Sequence, residues 1–331
     1  MELSRDDEVF DEETTLKTRR LLLWLLAWAL LTVPAQGQFK APDPEGVQLG
    51  GALTQRWQAG IIVKATGGPC WDIRATAPIP GDWPEQEVTI VEEDFTPNVR
   101  VTYGTVESSV KQMMVMIPGL RYGEEARAVV TLEVRRKSQI APADTSIYSV
   151  AERRKLPRTV LPYLALSPGI ECTNTKIKSL VKQFDDDHPN DWARVEALYD
   201  WVRENVEHKD GFQGGALACL RAGRGDHEDL TSLFIALCRA DGIPARTVWV
   251  KGHCYPEFYL VDAEGAGHWF PCQAGGARAF GEMPDHRPII EKGDNFRSPN
   301  NPRERKRFLA ETLALKGAKP HKQFVRGSVA Q

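Results

Sequence analysis

The chain has almost no charge of one sign to spare. Its 42 lysines and arginines stand against 45 aspartates and glutamates in 331 residues, a formal net charge of -3. That balance lacks the basic footprint of a nucleic-acid binder, so no nucleic-acid partner is expected. Long apolar runs are missing as well, because Leu21–Val33 falls short of the roughly 20 residues a membrane-spanning helix needs. No HExxH motif occurs, since His227-Glu228 is followed by Asp-Leu-Thr, and Pro271-Cys272 lacks the second cysteine of a deaminase signature. The six cysteines, Cys70, Cys172, Cys219, Cys238, Cys254 and Cys272, contain no CxxC pair, which excludes thioredoxin and zinc-finger readings. No internal repeat is present.

What is there begins with a leader. Lys17-Thr-Arg-Arg20 precedes the apolar run, and Ala35-Gln-Gly37 has the small-x-small form of a cleavage site, so residues 1–37 read as an export signal with an acidic leader. The mature chain is expected to be exported to a periplasm, cell envelope or secreted location, with membrane attachment only if the signal stays uncut. Residues 38–161 carry short β-rich runs separated by glycine and proline: Gly60–Lys64, Glu87–Val91, Val99–Tyr103, Gln112–Ile117 and Ala128–Val134. They predict an immunoglobulin-like β-sandwich. Met113, Met114 and Met116 read as strand core, because alternate residues diverge and cannot converge on a soft metal.

Residues 162–296 have a different grain. Ile177, Leu180, Val181 and Phe184 stripe a short helix, and Val195, Leu198, Tyr199, Val202 and Val206 a longer one, with Gly211–Arg224 expected as a loop. The sharpest signal lies in Gly225–Arg246. Asp226 is an N-cap with Asp229 three residues on, Leu230, Leu233, Phe234 and Leu237 form a buried stripe, and Gly242 with Pro244 ends the helix. Thr247–Val250, Glu257–Val261 and His268–Cys272 then predict strands, the last two joined by the turn Ala263–Gly267. Cys254 and Cys272 lie in these neighbouring strands, where spacing leaves a cross-strand bridge open. Residues 297–331 read as a basic, solvated tail, weakly helical around Arg305–Leu315.

Gly225-Asp226, Cys238-Arg239-Ala240, Gly242-Ile-Pro-Ala-Arg246, His253 with Glu257, and Trp269-x-Pro271 together resemble the core of the transglutaminase-like superfamily, whose fold is papain-like. The resemblance spans roughly Tyr163–Asn295. It implies an α+β architecture, a transglutaminase-like (papain-like) domain preceded by the sandwich. It also implies a groove in which His227 stands at the family's nucleophilic cysteine position and Gln273 at its triad aspartate, while His253 keeps the family's residue type. Asp226, Glu257, Trp269 and Cys254 are the further groove candidates. Arg239 and Arg246 match the family pattern as structural residues, and Arg224 is a third candidate for holding an anion.

The departures decide the chemistry. A helix N-terminus pushes a cysteine towards thiolate but disfavours imidazolium, leaving His227 a neutral base, weak nucleophile or ligand. Gln273 can still orient His253, as an asparagine does in papain-like proteases. Cys254 and Cys219 are the two thiols that could act from a new place, although Cys254, adjacent to His253 on a strand, is expected to face away. Two functions follow. In one, the groove binds a protein or peptide of the envelope without standard thiol acyl transfer; in the other, His253, Gln273 and His227 serve a divergent amide hydrolase or peptidase. No cofactor is expected. A zinc-like ion on His227 and His253 with Glu228 or Glu257 is the metal reading left open, whereas Asp185-Asp-Asp187 lacks the further spaced acids of a calcium loop.

Overall fold

The computed structural model describes residues 46–107, 109–184, 188–298 and 301–329; residues 1–37, expected to be an export signal, and Asp185-Asp-Asp187 lie outside them. Strands β1 (Gln48–Lys64), β2 (Cys70–Pro78), β3 (Gln86–Phe95), β4 (Arg100–Val106), β5 (Val110–Leu120) and β6 (Glu125–Ile140) come first. Helices α1 (Thr175–Val181) and α2 (Asp191–Asn205) follow, then the short strand β7 (Glu207–His208), helix α3 (Gly215–Ala222), the short strand β8 (Arg224–Gly225) and helix α4 (His227–Ala240). Strands β9 (Ala245–Val250), β10 (His253–Val261), β11 (Gly267–Pro271) and β12 (Ile289–Lys292) make an antiparallel sheet ordered β11-β10-β9-β12. Then come β13 (Phe296–Ser298), β14 (Asn301–Lys306), β15 (Thr312–Gly317) and β16 (His321–Val329).

The sandwich has two four-stranded sheets, β16-β1-β6-β3 and β15-β2-β5-β4. Alternating residues from both, among them Trp57, Ile61, Ile73, Met113, Ile117 and Leu132, fill one core. Met113 belongs to it, but Met114 and Met116 are turned outward at 36% and 48% exposure, as strand alternation requires of neighbours in β5. The expected solvated tail is corrected here. Residues 312–317 and 321–329 are edge strands of the sandwich, β15 paired with β2 and β16 with β1, and no helix forms around Arg305–Leu315. The reason is the period. Leu313, Leu315 and Phe324 pack on the sandwich core while Ala314, Lys316 and Lys322 face water, a pattern that the density of lysine and arginine disguises.

Helix α4 is the buried axis of the remainder. Asp226 caps it through bonds from the Glu228 and Asp229 amides, 2.9 and 3.0 Å, and Asp229 answers by accepting from the Asp226 amide at 3.2 Å. Gly242, at φ 83°, turns the chain out of its end. Leu230, Leu233, Phe234, Leu237 and Cys238 pack against α2, β10 and β11. The second correction is α3, which occupies most of the expected loop. Its first amides are satisfied from another element, Gly214 N and Gly215 N donating to Asp229 Oδ1 at 3.0 and 2.7 Å, so no local cap announces it. All six cysteines are free, and Cys254 is not bridged to Cys272: it sits opposite Trp249, while the partner of β11 residue Pro271 is Glu257, three positions further along β10.

A buried charge network joins sandwich to central sheet. Lys292 Nζ donates to Glu85 at 2.7 Å and Glu257 at 2.6 Å, Glu257 also pairs with Arg246 at 2.7 Å, and the Gln86 carboxamide exchanges two bonds with the Ile289 backbone. Arg239 forms a second buried pair with Asp294 at 2.7 Å and donates to the Ala245, Ala165 and Ser167 oxygens. Arg239 and Arg246 are therefore structural.

Glu291 is less well served. Its Oε2 accepts from the Leu309 amide at 3.0 Å, its Oε1 has no partner among the described residues, and burial pushes the carboxyl up to about 8. An acid raised on folding takes up a proton, so stability falls as pH rises from about 4.5 to about 8. Glu291→Gln is expected to flatten that slope and to stabilise the chain by about 1–3 kcal/mol at pH 9 in denaturant titrations. Equal slopes for the two proteins would refute the assignment.

Candidate active-site groove

Three elements deliver the central residues. His227 is the first residue of α4, His253 opens β10, and Gln273 follows β11. The His227 and His253 rings meet edge to face with centroids 4.7 Å apart, and the Gln273 carboxamide lies 2.8 Å from His253 Nε2. Turning that amide over exchanges donor for acceptor, so either imidazole tautomer is served. The Gln273 backbone is itself held, its main-chain carbonyl accepting from Tyr199 Oη at 2.8 Å and Arg203 Nη1 at 2.9 Å on α2. The three residues expected to converge do so.

His227 and His253 open into a groove of about 440 Å³, which Gln273, bonded to His253, does not itself line. Trp249 and Phe308, rings 5.5 Å apart, form an aromatic wall, and Asp210, Asp226 and Glu228 bring carboxylates to the lining. Arg307 is held over this lining by Glu228 at 2.8 Å and Ser232 Oγ at 2.6 Å. Of the further candidates, Asp226 and Cys254 line the groove. Glu257 and Trp269 do not: both line a separate cleft, where Glu257 is locked between Arg246 and Lys292 and the Arg246 guanidinium stacks on Trp269, 4.0 Å from the ring centre. Arg224 is exposed.

Electrostatics make the site quiet. Burial pushes the His227 imidazole down, with His208 adding to the effect. Burial also lowers His253, to about 4, and outweighs the Gln273 hydrogen bond that favours its charged form. Both rings are neutral at pH 7. Burial raises every thiol: Cys219 and Cys254 to about 12, Cys238 and Cys272 well above the usual range, and Cys70 and Cys172 in the same direction. Glu228 is also raised, since burial exceeds the pull of Arg307.

Two residues escaped the sequence reading. The His208 ring lies 4.2 Å from that of His227, with Asp210 3.6 Å beyond. Their spacing, His-x-Asp after a helix end, was the available signal. The carboxylates proposed to join a metal, Glu228 and Glu257, are drawn to Arg307 and to Arg246 and Lys292 instead.

Comparison with known proteins gives two findings. Residues 178–274, which include all three central groove residues, match the model of the Transglutaminase-like superfamily. The crystal structure of a "Putative Cysteine Protease" from Cytophaga hutchinsonii superposes with a TM-score of 0.55 at 18% identity, over 86% of this chain and 93% of that one, a likeness of fold. No curated protein matches the chain. Among the described residues no helix is long and apolar enough to cross a membrane.

Proposed function

We propose, from a transglutaminase-like domain whose groove offers imidazoles in place of a reactive thiol, that this chain binds polypeptide without forming an acyl-enzyme. The observation that carries the reading is the state of the sulfurs. All six are buried with raised thiol pKa, and the residue at the head of α4 is His227. Thioester chemistry requires a thiolate, and none is supplied. A hydrolase built on His253 is less well supported, because a base with a pKa of about 4 is a weak proton acceptor at neutral pH. The groove does have the makings of a peptide site, with an aromatic wall beside charged and backbone groups. The signal-like pattern of residues 1–37 supports a partner in the cell envelope or outside the cell.

The test uses the mature chain, a mixture of glutamine-containing peptides and a chelator. Binding is expected, weakened about 10-fold by Phe308→Ala, with no covalent adduct by mass spectrometry and no turnover above that of His253→Ala. An adduct on any cysteine, turnover that disappears in His253→Ala, or the absence of any binding would each overturn the reading.

A further inference from the structure

His208 and Asp210 join His227, one of the expected trio, in a geometry that peptide binding does not explain. One ligand atom from each, a ring nitrogen from the two histidines and a carboxylate oxygen, lies within 4.8 Å of the others. The arrangement is built into the backbone. Strands β7 and β8 run parallel with His208 opposite Gly225, and the Glu207 and Lys209 amides donate to the Gly223 and Gly225 carbonyls at 2.9 and 2.8 Å. That ladder ties His208 to the residues leading directly into α4, and so to His227. The His227 Nδ1 is shielded from water and has no partner among the described residues.

We propose that these three side chains bind a divalent transition-metal ion at the mouth of the groove. Two imidazoles and one carboxylate are a donor set for zinc, cobalt or nickel, where calcium and magnesium would want oxygen throughout. Ligands about 2.0–2.2 Å from a tetrahedral ion lie roughly 3.3 Å from one another, so the three must draw inward by about 1–1.5 Å. His208 and Asp210, both exposed, are free to make that rotation while His227 stays fixed on its helix. Of the nearby cations, Arg307 is held by Glu228 and Ser232, and Arg287, whose charge reaches His227, is held by Asp285. Three protein ligands leave a fourth position for water or a carboxylate, and Asp210 and His227 both line the groove into which it would open.

The site is tested with the metal alone. The chelator-stripped full chain, titrated with zinc chloride by calorimetry and with cobalt chloride by visible absorption, is expected to bind one equivalent. Loss of one ligand should weaken that binding at least about 10-fold in both His208→Ala and His227→Ala, with a smaller loss in Asp210→Asn, while His321→Ala, opposite Lys64 on the sandwich edge, behaves as wild type. Zinc should also raise the melting temperature of the wild type and not of His208→Ala, a variant on an exposed strand that leaves the helix cap intact. No binding, or binding that survives in both histidine variants, overturns the proposal. Because no peptide is present, either result leaves the peptide-binding reading to its own test.

Discussion

Replacing His227 with cysteine (H227C) is expected to give the folded chain a single thiol that iodoacetamide alkylates roughly 10³-fold faster at pH 7.5 than any of the six native cysteines. The native thiols set the baseline. With Cys219 and Cys254 raised to about 12, only a minute fraction is thiolate at neutral pH, and all six are enclosed. The first residue of α4 is the opposite environment: it lines an open groove and takes the positive end of the helix dipole, with the ring of His253 beside it. Asp226 and Glu228 work against the thiolate, so the pKa is expected to fall only moderately below the ordinary value. If the new thiol reacts no faster than the old ones, position 227 is not a nucleophile's position and the comparison with the family's cysteine fails. Fast alkylation together with an adduct on glutamine-containing peptides would show that the groove retains everything for acyl transfer except the sulfur.

Lys292→Met should cost about 3–5 kcal/mol of folding stability at pH 7, the usual consequence of removing one member of a buried ionic cluster. Lys292 Nζ sits between Glu85 and Glu257, and all three side chains are almost wholly enclosed. Burial alone would raise the Glu257 carboxyl; Lys292 and Arg246 outweigh it and hold it at about 2. A carboxylate depressed on folding contributes stability above its unfolded value near 4.5 and surrenders it as pH falls towards 2. The gap between wild type and variant should therefore be widest near neutrality and narrow through that window. Urea titrations at pH 7 and pH 3 measure it. A gap that is constant with pH would mean that lost packing, and not lost charge, causes the defect.

Much of the site could be read from the chain because its signals are local. Asp226, Asp229, Gly242 and Pro244 bracket α4 within twenty residues, and His253 and Gln273 flank the strand-forming runs Glu257–Val261 and His268–Cys272 that overlap β10 and β11. What escaped depends on partners far away in sequence. Helix α3 takes its cap from Asp229, and β15 and β16 are strands only because β2 and β1 offer them edges. Glu257 kept its place in the family pattern, yet its use is set by Lys292, 35 residues on. His208 and Asp210 reach His227 through a ladder of two residues, too short for any periodicity to announce.

The pairing of β16 with β1 has a consequence for synthesis. Ser328 lies opposite Trp57, so a strand made among the first is flanked on one side by a strand made some 270 residues later. While the nascent chain emerges, β1 can pair with β6, but its other edge must stay open through translation of the whole α/β portion. The groove is kept waiting too, because Arg307, Phe308 and Arg326 form part of its lining. Contacts of such sequence separation fold slowly. An open edge on a 17-residue strand is also a template for a second chain. Until residues 321–329 are made the longest of the described strands stays half-paired, and a chaperone that shields that edge would act before the groove is complete.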